Sequence, residues 1–348
     1  MTNIRAEDIN LIRSSIPNIE LFYNKTVLIS GASGFLPAYM VDLLLTIPDK
    51  HNVRVVALVR NLGKAHDRFR HCLGVDRLSI VKHDVTCPFD TNEKIHFVIH
   101  AASQASPKYY GVDPVGTLNA NILGTINLLN LAVKHDVESF LYFSSGEVYG
   151  ELEDSQIPTE EDTFGYLNPT KVRACYAESK RMGENICVSY HVQYGVKAKI
   201  VRPFHTYGPG MALDDGRVFA DFVANAVNRE NIVLKSDGSA RRAFCYLTDA
   251  TIGFITVLLK GENGQAYNIG NPNEEYSILD LAHIIAQLYP ESNMQVLKKV
   301  IDKNDLSYMQ SPISRNSPNI DKAMGLCWSP IVSVEEGFKR TIDSFIER

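Results

Sequence analysis

Tyr176 and Lys180 stand four residues apart in Tyr176-Ala177-Glu178-Ser179-Lys180. On a helix that spacing puts both side chains on one face. An ammonium beside a phenol favours the phenolate, drawing a pKa that is ordinarily about 10 towards neutrality. Such a phenolate can take a hydroxyl proton while hydride leaves the same carbon, and Lys180 can also hold a nicotinamide ribose. The pair alone is a weak signal, and its surroundings give it weight. The segment Phe143-Ser144-Ser145-Gly146-Glu147-Val148-Tyr149-Gly150 ends an apolar run. Ser145 can hydrogen-bond a reacting hydroxyl, and Glu147 can serve as an acid, a base or a carboxylate that positions water.

A second motif supplies the hydride chemistry. The run TVLIS (26–30) leads directly into Gly31-Ala32-Ser33-Gly34-Phe35-Leu36-Pro37 and then an apolar helical stretch. Strand, glycine loop and helix in that order form a dinucleotide fingerprint, in which helix N-terminal amides meet the pyrophosphate. Pro37 takes the place of the third glycine, which a first helical turn tolerates. The second strand ends Leu58-Val59-Arg60-Asn61, without the carboxylate that would grip an adenosine ribose. Arg60 suits a 2′-phosphate, hence NADP, or stacks on adenine in an NAD enzyme. Asp84, ending the third strand, is placed either for an adenine contact or as a solvated loop carboxylate.

The elements that position these residues read as a βαβ series. Apolar runs at 26–30, 53–59, 78–84, 97–102, 139–145 and 198–203 alternate with helical stretches. Continuous apolar strands with crossover helices imply an α/β fold with a doubly wound parallel sheet and ligands at the strand C-termini. Beyond Arg202-Pro203 the alternation decays, with helical stretches near 217–229, 278–289 and 334–347. The expected organisation is an N-terminal helical extension (1–24), a Rossmann domain (25–203) and a smaller substrate-binding lobe (204–348) interleaved with it. With 35 Lys+Arg against 40 Asp+Glu, the net charge of −5 provides no basic field for nucleic acid or an anionic membrane. The six cysteines lack metal-ligand or disulfide-framework spacing, so no metal is expected and a reducing cytoplasm fits. No apolar run suggests a signal peptide or membrane span.

GASGF, HAASQASP, SSGEVYG, YAESK, RPFHTYGPG, DDGRVFADF and GSARRAF occur in an order that resembles extended short-chain dehydrogenases/reductases acting on nucleotide sugars. Within that superfamily the chain looks most like UDP-glucuronate decarboxylases (UDP-xylose synthases). The resemblance implies an NAD that is reduced and reoxidised in each cycle and a UDP-linked substrate. It gives Tyr176 as base, Lys180 as its partner, Ser145 as hydroxyl anchor and Glu147 as auxiliary catalytic residue. Cofactor contacts then fall on Gly31, Ser33, Gly34, Phe35, Leu36, Arg60, Asp84, Val85, Ala101, Ala102, Ser144, Tyr176, Lys180 and Pro203. Substrate contacts fall on Ser103, His205, Arg217, Val218, Arg242 and Arg315, the arginines meeting the nucleotide diphosphate or the sugar.

Three outcomes share the first step, oxidation at C4. A C5 carboxylate makes a β-keto acid that loses carbon dioxide. A C5 hydroxymethyl group allows dehydration, for which the related dehydratases carry an Asp where this chain has Gly146. Re-reduction on the other face gives 4-epimerisation. Decarboxylation leads, with a UDP/dTDP-sugar 4-epimerase, an NADPH-dependent 4-keto sugar reductase, a 4,6-dehydratase and a non-catalytic NAD(P)-binding regulator as alternatives. Departures from the decarboxylase pattern are Arg60, His205 in place of Asn, and Arg315-Asn316-Ser317-Pro318, out of register by one residue. The resemblance also implies a homodimer through 117–135 and 176–194, whose Ile122, Ile126, Leu129, Ile186 and Val188 suit an interface or a core. Capsule or O-antigen precursor supply is typical of such enzymes.

Overall fold

Every residue of Thr26–Ser30 is buried, as a strand covered on both faces requires. The structure, a computed structural model, describes residues 3–298 and 313–347. The chain runs α1 (Asn3–Ser15), β1 (Thr26–Ser30), α2 (Phe35–Leu45), β2 (Arg54–Val59), α3 (Leu62–Arg68), β3 (Leu78–Lys82), β4 (Phe97–His100), α4 (Pro114–His135), β5 (Ser139–Phe143), α5 (Cys175–Tyr194) and β6 (Ala198–Pro203). It continues through β7 (Thr206–Tyr207), α6 (Val218–Val227), β8 (Ile232–Leu234), β9 (Arg241–Ala243), β10 (Cys245–Tyr246), α7 (Leu247–Lys260) and β11 (Ala266–Ile269). It ends with β12 (Glu275–Ser277), α8 (Ile278–Gln287), β13 (Val296–Lys298), β14 (Arg315–Asn316), α9 (Asp321–Met324) and α10 (Val334–Ile346).

The main sheet has seven parallel strands in the order β11-β6-β5-β4-β1-β2-β3. Side chains alternate between its faces. Val27 and Ile29 join α2 and α7 in one apolar cluster, whereas Leu28 and Val98 join α4 and α5 in another. The sheet is therefore doubly wound, and its order reverses between β1 and β4. A third cluster, built on Phe219, Phe244, Leu281 and Phe338, lies outside the sheet layers.

The chain crosses between these bodies more than once. After the small elements β7 to β10 it returns through α7 to β11, which pairs with β6. A cut at 203/204 therefore leaves an edge strand of the main sheet on the far side. The N-terminal helix is more than a preamble. Its buried Asp8 accepts hydrogen bonds from Tyr246 (2.8 Å) and Arg340 (2.7 Å), tying α1 to α10. Desolvation raises the Asp8 pKa, against the opposing effect of Arg340.

Gly183 sets how closely α5 approaches the sheet. A Cβ there would lie 2.0 Å from the hydroxyl of the fully buried Tyr142 on β5. Gly183→Ala should therefore lower the urea unfolding free energy by about 1–3 kcal/mol, the usual cost of overpacking, and adding Tyr142→Phe should recover part of it. An unchanged midpoint for Gly183→Ala would show that α5 has slack there.

Candidate active site

The C-terminal ends of β1 and β4 create the first half of the site. Gly31 has φ +65°, and a Cβ on it would come within 2.8 Å of the Ala102 backbone. The requirement for glycine therefore arises from the neighbouring strand end, not only from a pyrophosphate. Ser30 accepts a hydrogen bond from the Ala102 amide (3.2 Å) and also contacts His100 (2.8 Å), which reaches Thr125 on α4 (3.1 Å). Burial pushes the His100 pKa down to about 3, so this connector is neutral.

Gly34 caps α2 without a side-chain hydrogen bond, so no side chain competes for the amides of the first turn. Ser33, Phe35 and Leu36 lie in this half-buried loop and helix start. Beyond β4, half-buried Ala101 and Ala102 lead to Ser103, whose buried hydroxyl has no partner among the described residues. Val85 is buried beneath α4 and its carbonyl accepts from Asn127 (2.9 Å). A tight glycine turn, an uncapped helix start and an orphan hydroxyl beyond the adjacent strand suit a dinucleotide's phosphates and sugars.

Arg60 is exposed beyond β2. Asp84 accepts from the Thr86 amide (3.0 Å) and hydroxyl (2.8 Å). The amide bond chiefly lowers its pKa, with Arg60 adding a smaller lowering. Arg60 also contributes to lowering Asp113, behind Gln104 and the Gly116 amide. The guanidinium thus shares its field with two carboxylates.

The second half of the site hangs on α5 and the end of β5. Tyr176 and Lys180 are both buried on the inner face of α5. Ser145 holds the Glu147 amide (3.2 Å) and lies within hydrogen-bonding reach of the Tyr176 phenol. The electrostatics differ from the sequence expectation. Burial, followed by the charge of Glu147, pushes Tyr176 up to about 12, while Ser145, Arg217 and Arg173 oppose it. Lys180 donates to the Phe143 carbonyl (2.6 Å), its Nζ 5.7 Å from the Tyr176 ring centre, and desolvation brings it down to about 7. Helical spacing juxtaposes the pair, but desolvation leads both shifts and the charges that oppose it come from other residues.

Ser144 does not present its hydroxyl alongside Ser145. It donates to Glu184, which also receives a fork from Arg202 (2.9 and 2.7 Å). Arg202 further contacts Tyr149 (2.8 Å), which donates to Asn268 on β11. Pro203 is half-buried at the end of β6.

Glu147 is held by Arg173, whose two terminal nitrogens meet its oxygens at 2.9 and 3.3 Å. Arg173 sits 4.7 Å from the Tyr110 ring, which stacks on Tyr176 at 5.0 Å and 16°. Sequence reasoning missed Arg173 and Tyr110. The one available signal was that Arg173 lies in the turn entering the Tyr/Lys helix.

The expected substrate-binding groups are partly engaged. Arg217, at the start of α6 with Val218 next to it, forms an ion pair with Asp215 and stacks on Phe219. His205 lies below its ordinary pKa because of burial, with Arg242 and Arg217 adding to the shift. Arg242 donates to the Arg241, Ser314 and Ile313 carbonyls (2.8, 3.2 and 2.8 Å). Arg315 is forked onto Glu275 (2.7 and 2.9 Å), which also accepts from Arg241 and is held down to about 2, Arg315 contributing most. Arg217, His205 and Arg242 therefore share one electrostatic neighbourhood, whereas Arg315 belongs to the Glu275 ion pair.

Two features lie away from Tyr176. A cavity of about 810 Å³, lined by Glu161, Arg181, Glu184, Arg202 and Lys322 among others, opens along the β6–β11 side of the sheet. Asp42, His71 and Cys72 bring potential ligand atoms within 4.8 Å of one another. Asp42 is already held by Arg5 and by His71 (2.9 Å), and burial raises the Cys72 thiol to about 11.

Residues 27–270 match the NAD dependent epimerase/dehydratase family. The chain is 34% identical over 325 residues to UDP-glucuronic acid decarboxylase 5 of Arabidopsis thaliana, spanning 92% of this chain and 89% of that relative. It is 36% identical over 324 residues to UDP-glucuronic acid decarboxylase 1 of Danio rerio, spanning 92% and 72%. Its fold resembles the UDP-glucuronic acid 4-epimerase of Bacillus cereus solved with UDP-glucuronic acid and NAD, with TM-score 0.77, 23% identity and coverage of 92% and 98%. A doubly wound sheet with a glycine loop after its first strand, together with these likenesses, leads to one assignment: the chain belongs to the NAD dependent epimerase/dehydratase family.

Proposed function

We propose that this chain is an NAD-dependent UDP-glucuronate decarboxylase that oxidises the sugar at C4, releases carbon dioxide from C5 and yields a UDP-pentose. The observation that carries this reading is the likeness to UDP-glucuronic acid decarboxylases over more than nine-tenths of the chain, joined to a site with Tyr176, Ser145 and Glu147 together. When bound, NAD supplies the acceptor for the C4 hydride and later returns it. The loop at Gly31–Gly34, the start of α2 and Ser103 would hold it. Arg60 faces Asp84 and Asp113, which disfavours a 2′-phosphate and supports NAD over NADP.

Ser145 anchors the C4 hydroxyl and Tyr176 Oη takes its proton. The C4 ketone then makes the C5 carboxylate a β-keto acid, whose loss as carbon dioxide leaves an enolate that must be reprotonated at carbon. Glu147, a carboxylate paired with Arg173, is the nearby group suited to relaying that proton from water. Gly146 offers no acid of the dehydratase kind, and a Cβ there would lie in tight contact, 3.2 Å, with the Phe204 ring, which would have to give by a few tenths of an ångström. Arg217, His205 and Arg242 form the anion-binding side for the diphosphate.

The protein acts as a homodimer through α4 and α5. Leu129 belongs to the core, so the interface instead draws on exposed Leu123, Val133, Met182, Val188 and Val192. All six cysteines are free, which fits a cytoplasmic, reducing compartment supplying sugar nucleotides for polysaccharide assembly. No helix among the described residues is long and apolar enough to cross a membrane.

Incubation with UDP-glucuronate, followed by mass spectrometry and NMR, should give a UDP-pentose and carbon dioxide without net consumption of reductant. Formation of UDP-galacturonate without carbon loss would overturn the reading in favour of an epimerase. Tyr176→Phe should lower turnover by about 10²–10⁴, the range for losing a general base, while still binding NAD; near-normal turnover would remove its assigned role.

The lowered Lys180 pKa, about 7, makes a separate prediction. Above pH 7 the unfolded chain keeps a proton on this lysine that the folded chain has shed. Stability should therefore rise with pH from about 7 towards the unfolded value of about 10.4, by at most about 1.4 kcal/mol per pH unit. Urea unfolding of wild type and Lys180→Met at pH 7 to 9 should show that rise shrinking in the variant. Parallel curves would mean that Lys180 stays charged.

A further inference from the structure

We propose that Asp42, His71 and Cys72 form a binding site for a divalent transition metal of the zinc type, on the flank of the sheet away from Tyr176. The proposal is independent of the decarboxylase reading above. Donor chemistry, geometry, surroundings and access all support it.

Asp42 on α2 offers a carboxylate oxygen, His71 an imidazole nitrogen and Cys72 a sulfur, and these atoms all lie within 4.8 Å of one another. A mixed oxygen, nitrogen and sulfur set suits zinc, whereas calcium and magnesium are held by oxygen. Three protein ligands leave the fourth tetrahedral position to water. His71 Nε2 stands 2.9 Å from Asp42 Oδ1. Around a tetrahedral zinc those two atoms would lie about 3.3 Å apart, and the sulfur about 3.6 Å from either. The carboxylate and the imidazole therefore need only part slightly, while the thiol closes on them.

A ligating carboxylate is ordinarily oriented by a second partner on its other oxygen. Asp42 has that partner in Arg5 of α1, which binds Oδ2 and leaves Oδ1 turned to His71. The Asp42 side chain is fully buried, so its orientation is set before any ion arrives. Arg5 does not make the cluster repel a cation, because Asp42, Arg5 and a Cys72 thiolate together carry a net negative charge.

Access comes through His71, whose side chain is 20% exposed. Cys72 is a free thiol at the edge of the buried class. Burial holds that thiol up at about 11, so ligation must release its proton to water and affinity should climb with pH.

A bound ion would join segments that are far apart in the chain. It would tie the turn at Arg70–Cys72 to α2, and through Arg5 to α1. The start of α2 is the dinucleotide loop, so the staple would brace the helix that carries it. Cysteine and histidine spacing gave no sign of a metal because the third donor, Asp42, lies 29 residues before His71.

The test titrates chelator-stripped protein with Zn²⁺ against a competing chromophoric chelator, and with Co²⁺ as a spectroscopic probe. Wild type should take up one ion per chain, and cobalt should show the near-ultraviolet charge-transfer absorption of a thiolate ligand. Cys72→Ser should lose that absorption, while Cys87→Ser and Cys327→Ser, at the exposed cysteines, should keep it. His71→Ala should weaken zinc by at least about tenfold. The thermal midpoint of wild type should rise with zinc concentration, and that of Cys72→Ser should not. Zinc affinities of wild type, His71→Ala and Cys72→Ser within about twofold of one another, or a cobalt absorption that survives Cys72→Ser, would overturn the site. If Cys72→Ser does not fold, the His71→Ala titration decides alone, and an unweakened affinity there is equally fatal.

Discussion

The site depends on one inward-facing stripe of α5. Tyr176, Lys180 and Glu184 follow one another at four-residue intervals, and all three are buried against the ends of β5 and β6. Apolar packing alone tolerates small shifts of a helix along a sheet, but buried ionisable groups do not, because each loses several kcal/mol if its partner moves away. Lys180 reaches the Phe143 carbonyl, and Glu184 reaches Ser144 and Arg202. Those bonds fix the turn of α5 that carries the phenol relative to the turn that carries Ser145. Arg202 extends the same network through Tyr149 to Asn268 on β11, so the edge strand that returns late in the chain also holds the register.

That register has an electrostatic cost. Tyr176 is more difficult to ionise where it sits than in water, and Lys180 is more easily neutralised. Both shifts are led by desolvation, and the cations that oppose the tyrosine's shift are Arg217 and Arg173. The rise of the Tyr176 phenol is therefore opposed by guanidiniums reached through tertiary structure, while Lys180 on the same helix donates to the Phe143 carbonyl at the end of β5.

This division explains what could be read from the chain. The strand, glycine loop and helix at 26–45 were legible because they are local, with an apolar run, a turn needing positive φ and an apolar helix in succession. The Tyr/Lys pair was legible as geometry for the same reason. Strand β11 was not, since Ala266–Ile269 is short and its buried Asn268 is made tolerable by the distant Thr159 and Asn319 carbonyls. Helix α7 is buried almost all round, Thr248, Asp249, Thr251 and Thr256 included, so its polar residues do not mark a solvent face. The carboxylate partners of Arg173 and Arg315 lie 26 and 40 residues away along the chain. Composition and spacing carry no record of such pairs, so the fork of Arg315 onto Glu275 was not legible beside its reading as a substrate contact.

Closely related reactions can then diverge on few atoms. Oxidation at C4 asks for the same phenol, hydroxyl and dinucleotide loop whichever product follows. What separates the outcomes is the chemistry beside C5. A hydroxymethyl substrate needs an acid to carry away its hydroxyl, and Gly146, with the Phe204 ring 3.2 Å from where a Cβ would stand, supplies none. A carboxylate substrate brings its own leaving group as carbon dioxide and requires only that the resulting enolate be tolerated and protonated. The arrangement of a bare Gly146 next to an arginine-held Glu147 asks least of decarboxylation, since the step that breaks the carbon–carbon bond needs no proton from the protein.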